Sequence, residues 1–253
     1  MIKQIKSYLS QFTMLRRFYR KHIKRDPEEF YVFERQVCAG SDLDSVTQIL
    51  NLLNYSKTAT PPYAAKTYPA GYHTISLGGH ELRGRRNPAE RFSYIPVDFN
   101  GKTVLDVGCN QGGMLFAIRD QVAGGTGVDI DYRLINAANA MRRHENASNL
   151  SFFVFDLQRD PLALLSDLVP NGRVDVAFLL SICAWIENWK DVIYSLWQLS
   201  EELVFESNGT EKQQTAQMAY LATLYSEIDL LSATSTDDES AQRSLYLCRG
   251  KVI

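Results

Sequence analysis

Val104-Leu105-Asp106-Val107-Gly108-Cys109-Asn110-Gln111-Gly112-Gly113-Met114 is the stretch that decides how this chain folds. An apolar run closes on a carboxylate and a tight glycine turn follows. Leu115, Ile118 and Val122 then fall at helical spacing. This is a strand, a loop and a helix, with a loop backbone that can lie against a ligand.

From residue 103 onward the same alternation repeats. The pattern predicts strands over 103–107, 125–130, 151–156, 174–182 and 203–206. Helices are predicted over 112–122, 132–144, 161–168, 190–199 and 213–225. Two further strands, 227–234 and 244–249, have no helix between them. The fold class is therefore α/β: a seven-stranded, mostly parallel, doubly wound sheet with a C-terminal antiparallel strand pair. Upstream, 1–25 reads as a basic amphipathic helix, Asp26-Pro27-Glu28-Glu29 starts a second and Ser41-Asp42-Leu43-Asp44 a third. Residues 56–71, with Pro61, Pro62 and Pro69, read as a linker, Thr60-Pro61-Pro62-Tyr63 being a loop. The expected division is an N-terminal helical extension and linker, 1–70, and a catalytic α/β domain, 71–253.

Charge separates these parts. Eight of the 27 Lys and Arg residues lie within 1–25, where there is no acid, leaving 19 basic against 29 acidic residues in the remainder. Packing of the basic helix on the acidic body is the preferred reading. Contact with an anionic membrane surface or with RNA is the alternative. Cys38, Cys109, Cys183 and Cys248 are more than sixty residues apart, a spacing with neither a metal motif nor a disulfide framework. With no signal-peptide pattern at the N-terminus, a reducing, cytoplasmic setting is expected.

Ligands of open α/β sheets bind at the carboxyl ends of strands. Four ends matter here: Asp106-x-Gly108-x-x-x-Gly112, Asp129-Ile130, Asp156-Leu157, and Ser181 through Trp185. Asp129, twenty-one residues after Gly108, is placed to accept from both hydroxyls of a ribose. Asp156 is placed to accept from an exocyclic amine such as that of adenine. A dinucleotide fold calls for Gly-x-Gly-x-x-Gly, but the middle position is Asn110 and an acid precedes the turn. A carboxylate at Asp106 repels a pyrophosphate and suits an ammonium. Acids ahead of the turn, on the second strand and on the third thus fit the amino acid, ribose and adenine of S-adenosylmethionine (SAM).

Val104–Gly113 resembles motif I of the class I SAM-dependent methyltransferases, and the later strand ends resemble motifs II to IV in order and spacing over roughly 95–253. The resemblance implies that Asp106, Gly108 and the backbone from Cys109 through Asn110 to Gly112 hold the methionine end of the cofactor. Asp129 would hold the ribose, Asp156, Leu157 and Ile130 the adenine, and Ser181 would line the cofactor floor. A second resemblance lies in Gly71-Tyr72-His73-Thr74-Ile75-Ser76-Leu77-Gly78-Gly79, Leu82-Arg83-Gly84-Arg85-Arg86 and Phe99-Asn100-Gly101-Lys102. It is similar to the segment before motif I in the tRNA wobble-uridine (carboxy)methyltransferase-like group. That group has a Tyr-His pair after the fourth strand. The pair here is Ala184-Trp185, which implies ordinary SAM rather than its carboxylated form.

The expected reaction is in-line methyl transfer from SAM to an O, N or C acceptor on a small molecule, with tRNA as the alternative acceptor, a non-catalytic SAM-binding protein as another, and no metal. His73 is the candidate to orient or deprotonate the acceptor. Glu206 is a second candidate at the substrate side, as a catalytic or an orienting carboxylate. Arg83, Arg85 and Arg86 are candidates for an anionic group, and Trp185 and Trp189 for the pocket wall.

Overall fold

The computed structural model describes residues 45–57, 68–234 and 243–252. The basic helix, the helix start at Asp26, the Pro61-Pro62-Tyr63 loop and Cys38 lie outside these residues.

Helix α1 (Ser45–Lys57) is the described part of the helix expected to begin at Ser41. Strands β1 (Gly71–His73), β2 (Ile75–Leu77), β3 (His80–Leu82) and β4 (Gly84–Arg86) follow, each of three residues, and then helix α2 (Pro88–Phe92). After these come β5 (Thr103–Val107), α3 (Gly113–Ile118), β6 (Gly124–Asp129), α4 (Tyr132–His144) and β7 (Leu150–Val154). A 3-10 segment, Leu162–Leu168, precedes β8 (Val174–Leu180). Helix α5 (Trp189–Leu199), β9 (Ser200–Glu206), α6 (Glu211–Leu221), β10 (Tyr225–Ser232) and β11 (Leu245–Lys251) complete the domain.

The main sheet has the order β10-β11-β9-β8-β5-β6-β7, parallel except for β11, which runs antiparallel between β9 and β10. The architecture read from the sequence is therefore present, antiparallel pair included. β5 and β8 are near-continuous apolar runs because helices cover both faces. One core packs Val104, Leu115, Ile135, Phe152 and Phe178 on one face; the other packs Leu105, Leu179, Ile193, Leu203 and Phe205 on the opposite face. The direction of winding reverses between β5 and β8, which puts the switch point at the carboxyl ends of those two strands.

Several local expectations need correction. The helix expected over 112–122 ends at Ile118, and a turn then returns Ala123 to the Lys102 carbonyl at 2.8 Å. The third strand stops at Val154, not Asp156. Asp156 enters a turn in which its Oδ1 accepts from the Gln158 amide at 3.0 Å. The helix expected over 161–168 is a 3-10 segment. Residues 71–86 form two small sheets that no periodicity announces: β1 pairs in parallel with β4, and β2 antiparallel with β3.

α1 packs on α4, burying Ile49, Leu52 and Leu53, and Ser45 Oγ lies 2.7 Å from His144 Nδ1. No helix among the described residues is long and apolar enough to cross a membrane.

Candidate active site

The loop after β5 is held by its own backbone. The Gly108 and Cys109 amides donate to the Val128 carbonyl at 2.8 and 3.0 Å, and the Gly112 amide to the Cys109 carbonyl at 2.9 Å. Gly108 has a φ of 80°, and a Cβ there would lie 2.3 Å from Ile182 Cδ1, so this turn requires glycine. Asn110 takes the left-handed conformation at φ 55°, which an asparagine tolerates. The Asn110 amide donates to Asp129 Oδ2 at 2.9 Å, and its Oδ1 accepts from the Gln111 amide at 2.9 Å. Gly112, also at positive φ, precedes α3 and lies against Phe152. The Cys109 thiol is buried, and burial together with Asp106 and Asp129 pushes its pKa well above the ordinary value.

Asp129 closes β6 facing the loop; its Oδ1 accepts from the Asp131 amide at 2.8 Å. Each carboxylate oxygen thus accepts one backbone hydrogen bond. Beside it, Ile130 is 48% exposed, an apolar face at a strand end. Asp156 and Leu157 follow β7, and the Leu157 carbonyl accepts from Asn188 Nδ2 at 2.6 Å. Asp106 is 2% exposed and its Oδ2 has no hydrogen-bond partner among the described residues. Burial, and secondarily the charge on Asp129, raises its pKa to about 7 against the opposing effect of Arg91. An orphaned buried carboxylate oxygen beside a glycine turn fits an incoming ammonium. These residues accordingly suit the three ends of SAM.

A second set of groups comes from the segment before β5. Its key residue, Arg91 on α2, was missed in the sequence. Asn87 caps that helix, its Oδ1 accepting from the Ala89 amide at 3.1 Å, and Pro88 occupies its first turn. Phe92 anchors the helix on the sheet, with its ring centroid 5.4 Å from that of Phe99 and 6.1 Å from that of Phe178. Arg91 then turns inward and donates to Glu206 Oε1 at 2.8 Å, in a pair whose side chains are 8% and 4% exposed. Glu206 also accepts from the Ser181 hydroxyl, and Arg243 Nη1 reaches Ser181 Oγ at 3.4 Å. Ser181 has a φ of 59°, and its carbonyl accepts from Asn208 Nδ2 at 2.6 Å. Ser181 and Glu206 thus stand together at the ends of β8 and β9, tied to α2.

His73 is 5% exposed and ends β1, and its Nδ1 has no partner among the described residues. Its ring rests where a side chain on Gly113 would be: a Cβ there would fall 2.3 Å from His73 Cβ. Burial, then the positive charges of Arg91 and Arg86, lowers its pKa to about 3, so the imidazole is neutral. Gln111, also missed in the sequence, donates from Nε2 to the carbonyls of Ala70 at 2.7 Å and His73 at 2.9 Å.

The other candidates are placed differently. Arg86 is buried, with its guanidinium 5.8 Å from the Tyr72 ring centroid, and Arg83 lies 6.0 Å from that of Tyr68. Trp185 is about half exposed beyond Ser181. Trp189 packs edge-on against Tyr220, with Lys190 over its ring, and is a packing residue of α5 and α6.

Residues 80–220 match the family profile described as Methyltransferase domain. The chain belongs to that methyltransferase family. The N-terminal domain of EvdMO1, solved with S-adenosylhomocysteine (SAH) bound, superposes on the methyltransferase with a TM-score of 0.58 at 13% identity, over 83% of this chain and 99% of that domain. WbdD superposes with a TM-score of 0.58 at 18% identity, over 78% of this chain and 46% of WbdD. Another structure of WbdD, described as a bifunctional kinase-methyltransferase, gives a TM-score of 0.55 at 16% identity over the same shares. The methyltransferase thus spans less than half of WbdD's length. No curated protein matches it significantly. The enzyme is SAM-dependent.

Proposed function

We propose that this methyltransferase transfers the SAM methyl group to a small molecule held at the carboxyl ends of β5 and β8, on the side covered by the segment 70–92. The observation that carries this reading is the depth of the polar groups on that side. His73 on β1, Arg91 on α2 and Glu206 at the end of β9 are all buried, a setting that suits an acceptor enclosed by the protein. Arg83 and Arg86 also lie against Tyr68 and Tyr72 rather than forming a phosphate-binding stripe.

Bound SAM supplies a sulfonium that activates the methyl group and leaves as a neutral thioether. The chain must then align the acceptor and exclude water. Asp106 receives the ammonium, Asp129 the ribose hydroxyls, and Ile130 the adenine face beside Asp156 and Leu157. His73 orients the acceptor through Nδ1. A buried neutral imidazole under the positive charge of Arg91 and Arg86 accepts a hydrogen bond readily but resists taking a full proton. Glu206 acts as an orienting carboxylate, since Arg91 and Ser181 occupy it.

The test is a tracer experiment. The enzyme is incubated with methyl-labelled SAM and a cell extract, which is then split into a low-molecular-mass filtrate and a precipitable RNA fraction. Label in the filtrate is expected, dependent on His73. Label confined to the RNA would overturn the reading.

A further inference from the structure

We infer that Gln111 is a positioning residue that makes the placement of His73 depend on the cofactor site; the significance of His73 for the acceptor rests on the function proposed above. The Gln111 side chain is 1% exposed and points out of the glycine loop into the preceding segment. Both hydrogens of its amide are used, one on the Ala70 carbonyl and one on the His73 carbonyl. Those carbonyls bracket β1, so one side chain of the cofactor loop clamps the strand that carries His73 at both ends. Two facing carbonyls also fix the orientation of the amide, because only its nitrogen can donate to both.

The connection continues in the other direction. The Gln111 amide donates to Asn110 Oδ1, and the Asn110 amide to Asp129 Oδ2. Asp129 is the group that faces the ribose. A continuous path of hydrogen bonds therefore runs from the ribose acceptor through Asn110 and Gln111 to the His73 backbone, while the His73 ring rests on Gly113 two residues further along the same loop. A loop set in its bound geometry by the cofactor sets β1 as well. The chain gains a means of presenting the acceptor-side imidazole only when the donor is in place.

The experiment is amide hydrogen exchange over residues 70–77, with and without SAH, in the full chain and in the variants Gln111→Glu and Gln111→Met. Gln111→Glu turns a donor toward two carbonyls into an acceptor; Gln111→Met keeps the bulk and loses both bonds. In the wild type, SAH is expected to slow exchange in this segment at least tenfold. In folded variants that still bind SAH by calorimetry, that gain is expected to vanish. A purely structural role lowers protection equally with and without SAH and leaves the gain intact, which would overturn the proposal. So would a wild-type segment indifferent to SAH. Should Gln111→Glu not fold, Gln111→Met gives the same reading. Labelled RNA in the tracer experiment would overturn the acceptor assignment and leave this exchange result standing.

Discussion

Replacing Arg91 by methionine removes one half of a buried ion pair at almost constant volume, and its consequences can be worked from the geometry. At 2.8 Å the attraction between Arg91 and Glu206 amounts to about 6 kcal/mol at an effective dielectric near 20. Most of this offsets the cost of taking both charges out of water, so the intact pair contributes little net stability. The variant is another matter. Glu206 stays buried with its charge uncompensated, which costs about 3–5 kcal/mol. The Ser181 hydroxyl still donates to Glu206, so a loss of about 3 kcal/mol is expected. For a domain of this size that corresponds to a fall in Tm of roughly 6–12 °C. The double variant Arg91→Met with Glu206→Gln removes the stranded charge and should recover to within about 1 kcal/mol of the wild type. Equilibrium urea denaturation of the three proteins, checked by scanning calorimetry, gives both numbers. If Arg91→Met costs less than about 1 kcal/mol, or the double variant is no better than the single, the pair does not hold α2 to the sheet as described.

Two other outcomes are open to measurement. Burial raises the Asp106 pKa from 3.8 to about 7, so the folded state binds more protons than the unfolded state between these values. Its contribution therefore lowers stability as pH rises from about 4 to 7 and levels off above. Asp106→Asn should stabilise the free enzyme at pH 8, leave it unchanged near pH 4, and abolish any rise in SAH affinity across pH 7, as read by melting curves and calorimetry. At Gly84, a Cβ would sit 2.1 Å from the His73 backbone carbon. Gly84→Ala should therefore part β4 from β1, cost about 1–3 kcal/mol, and open residues 71–77 to proteolysis; a variant as resistant as the wild type would count against that close packing.

The elements that could be read from the sequence are those whose signal is local. β5 and α4 lie where their patterning places them, with α4 capped by Asp131 and ending at His144. The placement of Asp106, Gly108 and Asp129 at the carboxyl ends of β5 and β6 was legible because one loop and the neighbouring strand end fix their spacing. Arg91 and Gln111 were not, since their partners are 115 and 38–41 residues away and no pattern around either one points there. The strands of 71–86 escaped for another reason: three residues are too few to display an alternation. Trp189 could be read from the sequence either as a pocket wall or as ordinary packing, and its ring packs edge-on against Tyr220.

The assignment of the donor site rests most heavily on Asp129, and one titration addresses it. SAH is titrated by calorimetry into the wild type, Asp129→Ala and Asp129→Asn, each confirmed folded by its melting curve. Loss of the ribose acceptor should weaken binding by about 1–3 kcal/mol, or roughly 5- to 150-fold. The asparagine variant, which keeps one acceptor oxygen, should fall between the wild type and the alanine variant. SAH affinity within twofold of wild type in a folded Asp129→Ala would contradict the site.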